Sequence, residues 1–270
     1  MDNSQQNFCY EQYESVKEIL RKEIRNDFCE IIIQVKKCDY IIASSIHGMK
    51  THESLTAAAN AHSLFLVAFD LAQSGHFTAI FPLFRTALES AIYGYLFNCE
   101  EGLSETWKKR QLSEDDFNSN KKAFTAAVKR FRGYLQRHDE KSGDTPYEQY
   151  IMSLYDAAID FGAHPNPIGL LNNISLESEG NNIKFSYDYL CTDHKDILKA
   201  LSACLDYGVA IAAINHLSHI FNNSEHPRLD SIFLDFIKKN NRIVDKLNGS
   251  PLGFEHRYYN RINNFVPPDV

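Results

Sequence analysis

The sequence predicts an all-α protein: a multi-helix bundle carrying one small two-stranded β-hairpin. Two observations carry this reading. Apolar residues recur at three- and four-residue spacing through most of the chain, the period of a helix with one buried side. One segment, NISLESEGNNIKFSYDYL at 173–190, instead alternates apolar and polar residues around a Glu-Gly-Asn-Asn turn, the signature of a hairpin.

Tyr10 to Ile46 reads as one long helix or two abutting ones, with Val16, Ile19, Leu20, Ile24, Phe28, Ile31, Ile32, Val35 and Ile42 at helical spacing. HGMKTHES at 47–54 is a short connection. The next helix runs from about Ser54 to Ser74, with Leu55, Ala59, His62, Leu66 and Phe69 as its apolar stripe, and is stopped by Gly75. A third, from about Thr78 to Cys99, is apolar on nearly every face. It is expected at the centre of the bundle, with Phe84, Leu88, Ala91, Ile92 and Tyr95 buried. A short helix surrounds Trp107. SEDDF at 113–117 starts another: Ser113 can cap it, and Glu114, Asp115 and Asp116 suit the positive end of the helix dipole. That helix runs to about Arg137 and carries a basic face. Pro146 to Gly162 forms the next, closed by Gly162 and the HPNP element at 164–167. The hairpin at 173–189 is a small insertion. Helices then return from Asp193 to about Phe221 and from Pro227 to Leu247, ended by Gly249. Residues 1–250 are expected to form a single domain and 251–270 an extended tail.

Composition and missing motifs narrow the function. Of 270 residues, 44% are hydrophobic and 23% charged, which suits a globular protein and rules out wholesale disorder. The formal net charge of −7 weighs against a protein that coats long nucleic acid by charge alone. The N-terminus lacks a basic stretch followed by an apolar run, so no secretory signal is expected. The most apolar stretches, between Leu55 and Phe97, are broken by Asn60, His62, Asp70, His76, Arg85 and Glu89, and no membrane span is expected. The six cysteines show no paired spacing, which points to reduced thiols and a cytoplasmic protein. There is no Gly-rich phosphate loop, no HExxH, no nucleophile elbow and no Glu-x-x-His pair. No cofactor and no metal are therefore expected.

Four constellations remain. Arg85 and Glu89 stand one turn apart on the apolar third helix. Charges there must be paired, either as a buried pair that fixes helix register or as the wall of a polar pocket for a ligand. In YDAAIDFGAHPNP, Tyr155, Asp156, Asp160 and His164 face similar directions, with His164 at the helix C-terminus, as a plain cap or as a site residue. His216 and His219, with His226 following, have a spacing that can share a metal, but no carboxylate accompanies them; packing or surface roles are expected, and His62 reads as a satisfied core histidine. Finally, Arg132 and His138 are separated by five residues, matching the Arg-x4-6-His element of HEPN ribonucleases. In that family the Arg positions phosphate and the His assists attack by a 2′-hydroxyl. Gly133 stands where the family usually has a polar residue, and a chance match at this spacing is common.

FRTALESAIYGYLF, followed after some sixty residues by a Tyr-led helix ending in AHPNP, resembles the all-helical bacterial family DUF5677 over residues 50–170. Proteins of that family carry an Arg-x-x-x-Glu on a central helix and a later Tyr…His segment. The resemblance implies Arg85, Glu89, Tyr155 and His164 as the matching positions, and relatives near HEPN-like and phage-defence proteins. It implies no activity. The hairpin is not part of that family pattern. The resulting expectation is a cytoplasmic bacterial binding or interaction protein with a small polar pocket, serving phage defence or stress response, with a protein partner or a second copy of itself. The alternative is a metal-independent HEPN-type ribonuclease using Arg132 and His138, the only reading in which RNA is a partner.

Overall fold

The computed structural model describes residues 10–142, 147–163, 174–179, 182–220 and 229–250. It is an all-α bundle, with helices α1 (Tyr10–Asp27), α2 (Cys29–Ile46), α3 (His52–Ala72), α4 (Ile80–Cys99), α5 (Leu103–Lys108), α6 (Glu114–Thr125), α7 (Ala127–Ser142), α8 (Tyr147–Ala158), α9 (His194–Ile220) and α10 (Leu229–Asn248). A 3-10 turn, Lys109–Gln111, follows α5, and a π-helical turn, Ile159–Ala163, follows α8.

The caps explain several boundaries. Thr51 and Ser54 form a reciprocal capping box at the start of α3: the Ser54 N–H donates to Thr51 Oγ1 at 3.0 Å and the Thr51 N–H to Ser54 Oγ at 3.1 Å. The helix thus begins two residues before the expected Ser54. Ser113 caps α6 as its sequence requires, accepting from the Asp116 N–H at 3.1 Å. The start of α8 is capped from another helix. Asp139 of α7 accepts from the backbone N–H groups of Tyr147 (3.2 Å) and Glu148 (2.9 Å). Gly75 ends the α3 turn with φ 79°, and a Cβ there would lie 2.5 Å from Leu20 Cδ2, so only glycine fits.

Helix α9 forms the centre. It packs against α2, α3, α4, α8 and α10, and its residues Leu198, Leu201, Cys204, Tyr207, Ile211 and Ile214 are fully enclosed. Tyr207 stacks on Phe84 with ring centroids 4.4 Å apart and donates to the Leu154 carbonyl at 2.8 Å, locking α4 and α8 to this core. The expected buried set of α4 (Phe84, Leu88, Ala91, Ile92 and Tyr95) is buried throughout. The central position expected for α4 nevertheless belongs to α9. In α4 the buried residues occupy one broad face, and Pro82, Arg85, Thr86, Glu89 and Tyr93 form an outward strip. By length and composition alone, α3 and α9 are both apolar enough to cross a membrane, with mean hydropathies of 1.3 and 1.7. In α9 that stretch is enclosed by the bundle.

The hairpin lies where the alternation places it. β1 (Ile174–Glu179) pairs antiparallel with β2 (Asn182–Tyr187), setting Leu176 opposite Phe185 and Glu177 opposite Lys184. Its apolar face is not packed into the core: Leu176, Ile183 and Phe185 are each more than 60% exposed. The helices from α1 to α10 contribute to one hydrophobic cluster, but Val16 and Ile19, expected on the apolar stripe of α1, are exposed. The 251–270 tail lies outside the described residues.

Candidate functional site

Arg85 and Glu89 sit on the outward strip of α4, where 3.6-residue periodicity keeps them one turn apart. Their side chains are 28% and 32% exposed, so the pair lies at the bundle surface and not in its interior. The expectation of buried charges is corrected on this point. The apolar residues of α4 were dense enough to hide a polar strip only one or two residues wide.

Tyr155 reaches this strip from α8. Its hydroxyl donates to Glu89 Oε1 at 2.8 Å, and Arg85 Nε donates to the same oxygen at 3.2 Å. Three of the four residues singled out in the sequence thus converge from segments far apart in the chain. The fourth, His164, lies outside the described residues. Burial, helped by the bond to Glu89, pushes the Tyr155 hydroxyl up to about 12, with Arg85 opposing. It therefore stays a neutral donor near pH 7. For Arg85, burial works to lower the pKa; Glu89 and Tyr155 outweigh it and hold the guanidinium above its ordinary value. Among the described residues nothing bonds Glu89 Oε2. One carboxylate oxygen is thus fixed by two donors, on a side chain that is 32% exposed.

The backbone beside the site is unusual. The π-helical turn starts four residues after Tyr155, and such turns are enriched where function displaces a regular helix. Phe161 stacks on Phe81 at 5.0 Å and pins this turn to α4. Gly162, expected only as a helix stop, permits a close approach. A Cβ there would lie 2.7 Å from the Thr78 carbonyl oxygen. Sequence reasoning missed Tyr93, one turn beyond Glu89. It is half-buried against Phe124 at 4.8 Å; burial raises its pKa, Glu89 adds to the rise and Arg110 opposes it. Its spacing of four from Glu89 was the available signal.

The other candidates have structural partners. Arg132, half exposed on α7, forms an ion pair with Glu148 of α8. His138 packs edge-on to Tyr147 at 5.4 Å, with its Nδ1 3.6 Å from Asp139 Oδ1. Both residues therefore border the first turn of α8. His62 is bonded and 20% exposed, its Nε2 2.5 Å from Asp39 Oδ1, which ties α3 to α2. Of the apolar stripe expected around it only Phe69 is buried, and Leu55, Ala59 and Leu66 are exposed because α3 turns a different side to the core. His216 is buried; the His219 side chain and His226 lie outside the described residues. Among the described residues no three His, Cys, Asp or Glu side chains come together as metal ligands. The described cysteines are free thiols.

No family model matches the chain, and neither a curated protein nor a solved structure matches it.

Proposed function

We propose that this chain is a cytoplasmic bacterial binding protein that holds a small polar ligand at Arg85, Glu89 and Tyr155, with His164 completing the site. The observation that carries the reading is the divided carboxylate of Glu89. Oε1 is held by Tyr155 and Arg85, among the described residues nothing bonds Oε2, and the side chain is 32% exposed. Such an arrangement sets an acceptor carboxylate beside a fixed positive charge, which suits a ligand that brings an N–H or O–H donor to Glu89. The ligand class is therefore a molecule with such a donor: an amide, a nucleobase edge or a sugar. The resemblance to DUF5677 rests on these same positions, and the proposed setting is phage defence or stress response.

Native mass spectrometry of the protein purified from its host tests this. The expected result is a bound small molecule that is lost in Glu89→Gln and in His164→Ala, while both variants keep their helical circular dichroism. Protein that carries no ligand from its host would overturn the reading. So would RNA cleavage abolished by Arg132→Ala and untouched by Glu89→Gln, since that outcome assigns the chain to the ribonuclease class.

A further inference from the structure

We infer that the outer face of α3 and α4 is a two-fold interface, and that its occupant is a second copy of this chain. The first observation is a mismatch between composition and burial. The apolar stretch of α3 has a mean hydropathy of 1.3, yet only a third of it is buried by the rest of the chain. Leu55, Leu66 and Val67 are 43%, 43% and 47% exposed, and Ala59 and Ser63 between them are exposed as well. Exposed Leu55, Ala59, Leu66 and Val67 form an apolar strip with Asn60 and Ser63 beside it, and large exposed apolar patches mark interaction sites.

The second observation is charge. From Ser54 to Phe69 the chain carries no Asp, Glu, Lys or Arg, within a protein in which 23% of residues are charged. The neighbouring outward residues of α4 (Leu83, Thr86 and Ser90) are also uncharged, and Asn60 of α3 donates to Ser90 Oγ at 2.8 Å, joining the two helices into one surface. A two-fold interface sets each residue patch against its own copy, so any charge near the axis meets a like charge. Two chains of net charge −7 repel one another. A neutral face is where they can meet.

The area is sufficient. The uncharged part of α3 is roughly 24 Å long at about 1.5 Å per residue. Two helices packed about 9 Å apart give a face roughly 20 Å wide. The projected area is about 500 Å² per copy, about 1,000 Å² for the two together, which is the size a biological interface has to reach. Small residues at the middle of the strip, Ala59 and Ser63, let two α3 helices approach closely, with Leu55 on one side and Leu66 and Val67 on the other. The close α3–α4 packing that flattens this surface is already built in: a Cβ at Gly94 would lie 3.1 Å from the Ser54 carbonyl oxygen. A lipid surface suits the face less well. Asn60, Ser63, Thr86 and Ser90 would lose hydrogen bonds among acyl chains, whereas across a symmetric interface they can pair with each other.

Sedimentation equilibrium of the full chain tests the inference, using wild type, Ser63→Glu, Ser63→Lys and an equimolar mixture of the two variants. Wild type is expected at twice the 30.9 kDa chain mass. Each variant should dissociate at least ~100-fold more readily, because like charges meet at the axis, and the mixture should recover the dimer. Unchanged far-ultraviolet circular dichroism and melting of the separated variants show that the fold is retained. A wild type that stays monomeric at high concentration would overturn the inference. So would a Ser63→Glu chain that dimerises as well as wild type, or a monomeric wild type that floats with phosphatidylcholine vesicles.

Discussion

Replacing Asp206 by Asn should stabilise the protein at neutral and alkaline pH and leave it nearly unchanged in acid. Asp206 lies on α9. Its backbone carbonyl accepts from the Tyr150 hydroxyl of α8 at 3.1 Å, and the buried thiols of Cys38 on α2 and Cys204 on α9 are close by. The residue keeps some solvent contact, but the protein around its carboxyl removes enough water to push its pKa from 3.8 to about 7. No described cation offsets that cost. The folded pKa lies above the unfolded one. Between about pH 4 and 7 the native state therefore holds a proton that the unfolded chain has released, and stability falls as pH rises through this window. Three pKa units at about 1.4 kcal/mol each set a ceiling near 4 kcal/mol, which the residual solvent contact reduces to roughly 2 kcal/mol. Asn carries no charge and removes the penalty. The melting temperature of Asp206→Asn should exceed that of wild type by roughly 4–8 °C at pH 8 and by much less at pH 4. Calorimetry of both proteins at the two pH values gives the comparison directly. A variant less stable than wild type at both pH values, or a difference that does not change with pH, would refute the reasoning.

Two further predictions concern packing. A Cβ at Gly208 would lie 2.5 Å from Cys38 Sγ and 2.9 Å from Phe65 Cε2, so Gly208→Ala must displace two core side chains. A loss of about 1–3 kcal/mol is expected in urea unfolding, and no change in midpoint would contradict the contact. Phe185 projects from the hairpin at 63% exposure, so Phe185→Ser should alter stability by less than about 0.5 kcal/mol in the same assay, and a loss several times larger would show that its face is covered.

The fold was legible wherever a local signal had a local cause. Ser113 followed by three acidic residues dictated a helix start, and the Ser113 bond to the Asp116 N–H is there. The alternation of IKFSYDY dictated strand geometry, because a period of two fits no helix. Breaks without a sequence marker were not legible. The α1–α2 junction at Phe28 and the α6–α7 junction at Ala126 contain neither Gly nor Pro, and tertiary packing sets them. Periodicity also does not say how a face is used. The hairpin has an apolar side by sequence, and that side faces outward; α4 looked apolar all round, and α9 took the centre.

The candidate site shows the same division. Arg85 and Glu89 could be paired from their spacing alone, since residues four apart share a helix face. Tyr155 could be joined to them only through the resemblance or through a rule about unsatisfied donors. Its distance in sequence carries no information about the 2.8 Å bond to Glu89. The burial of the pair was misjudged for a physical reason. A helix lying on a curved core needs only a narrow outward strip, and charges on that strip keep water on one side. Partial exposure changes what the site can do. A fully buried Arg–Glu pair must spend its donors and acceptors internally to offset desolvation, which leaves nothing for a ligand. At about 30% exposure the pair is held by Tyr155 and still meets water. Because α4 also supplies part of the uncharged face shared with α3, a second copy docked there would cover one flank of this strip. Ligand occupancy and self-association would then be coupled, and each would change the other's affinity by the same factor.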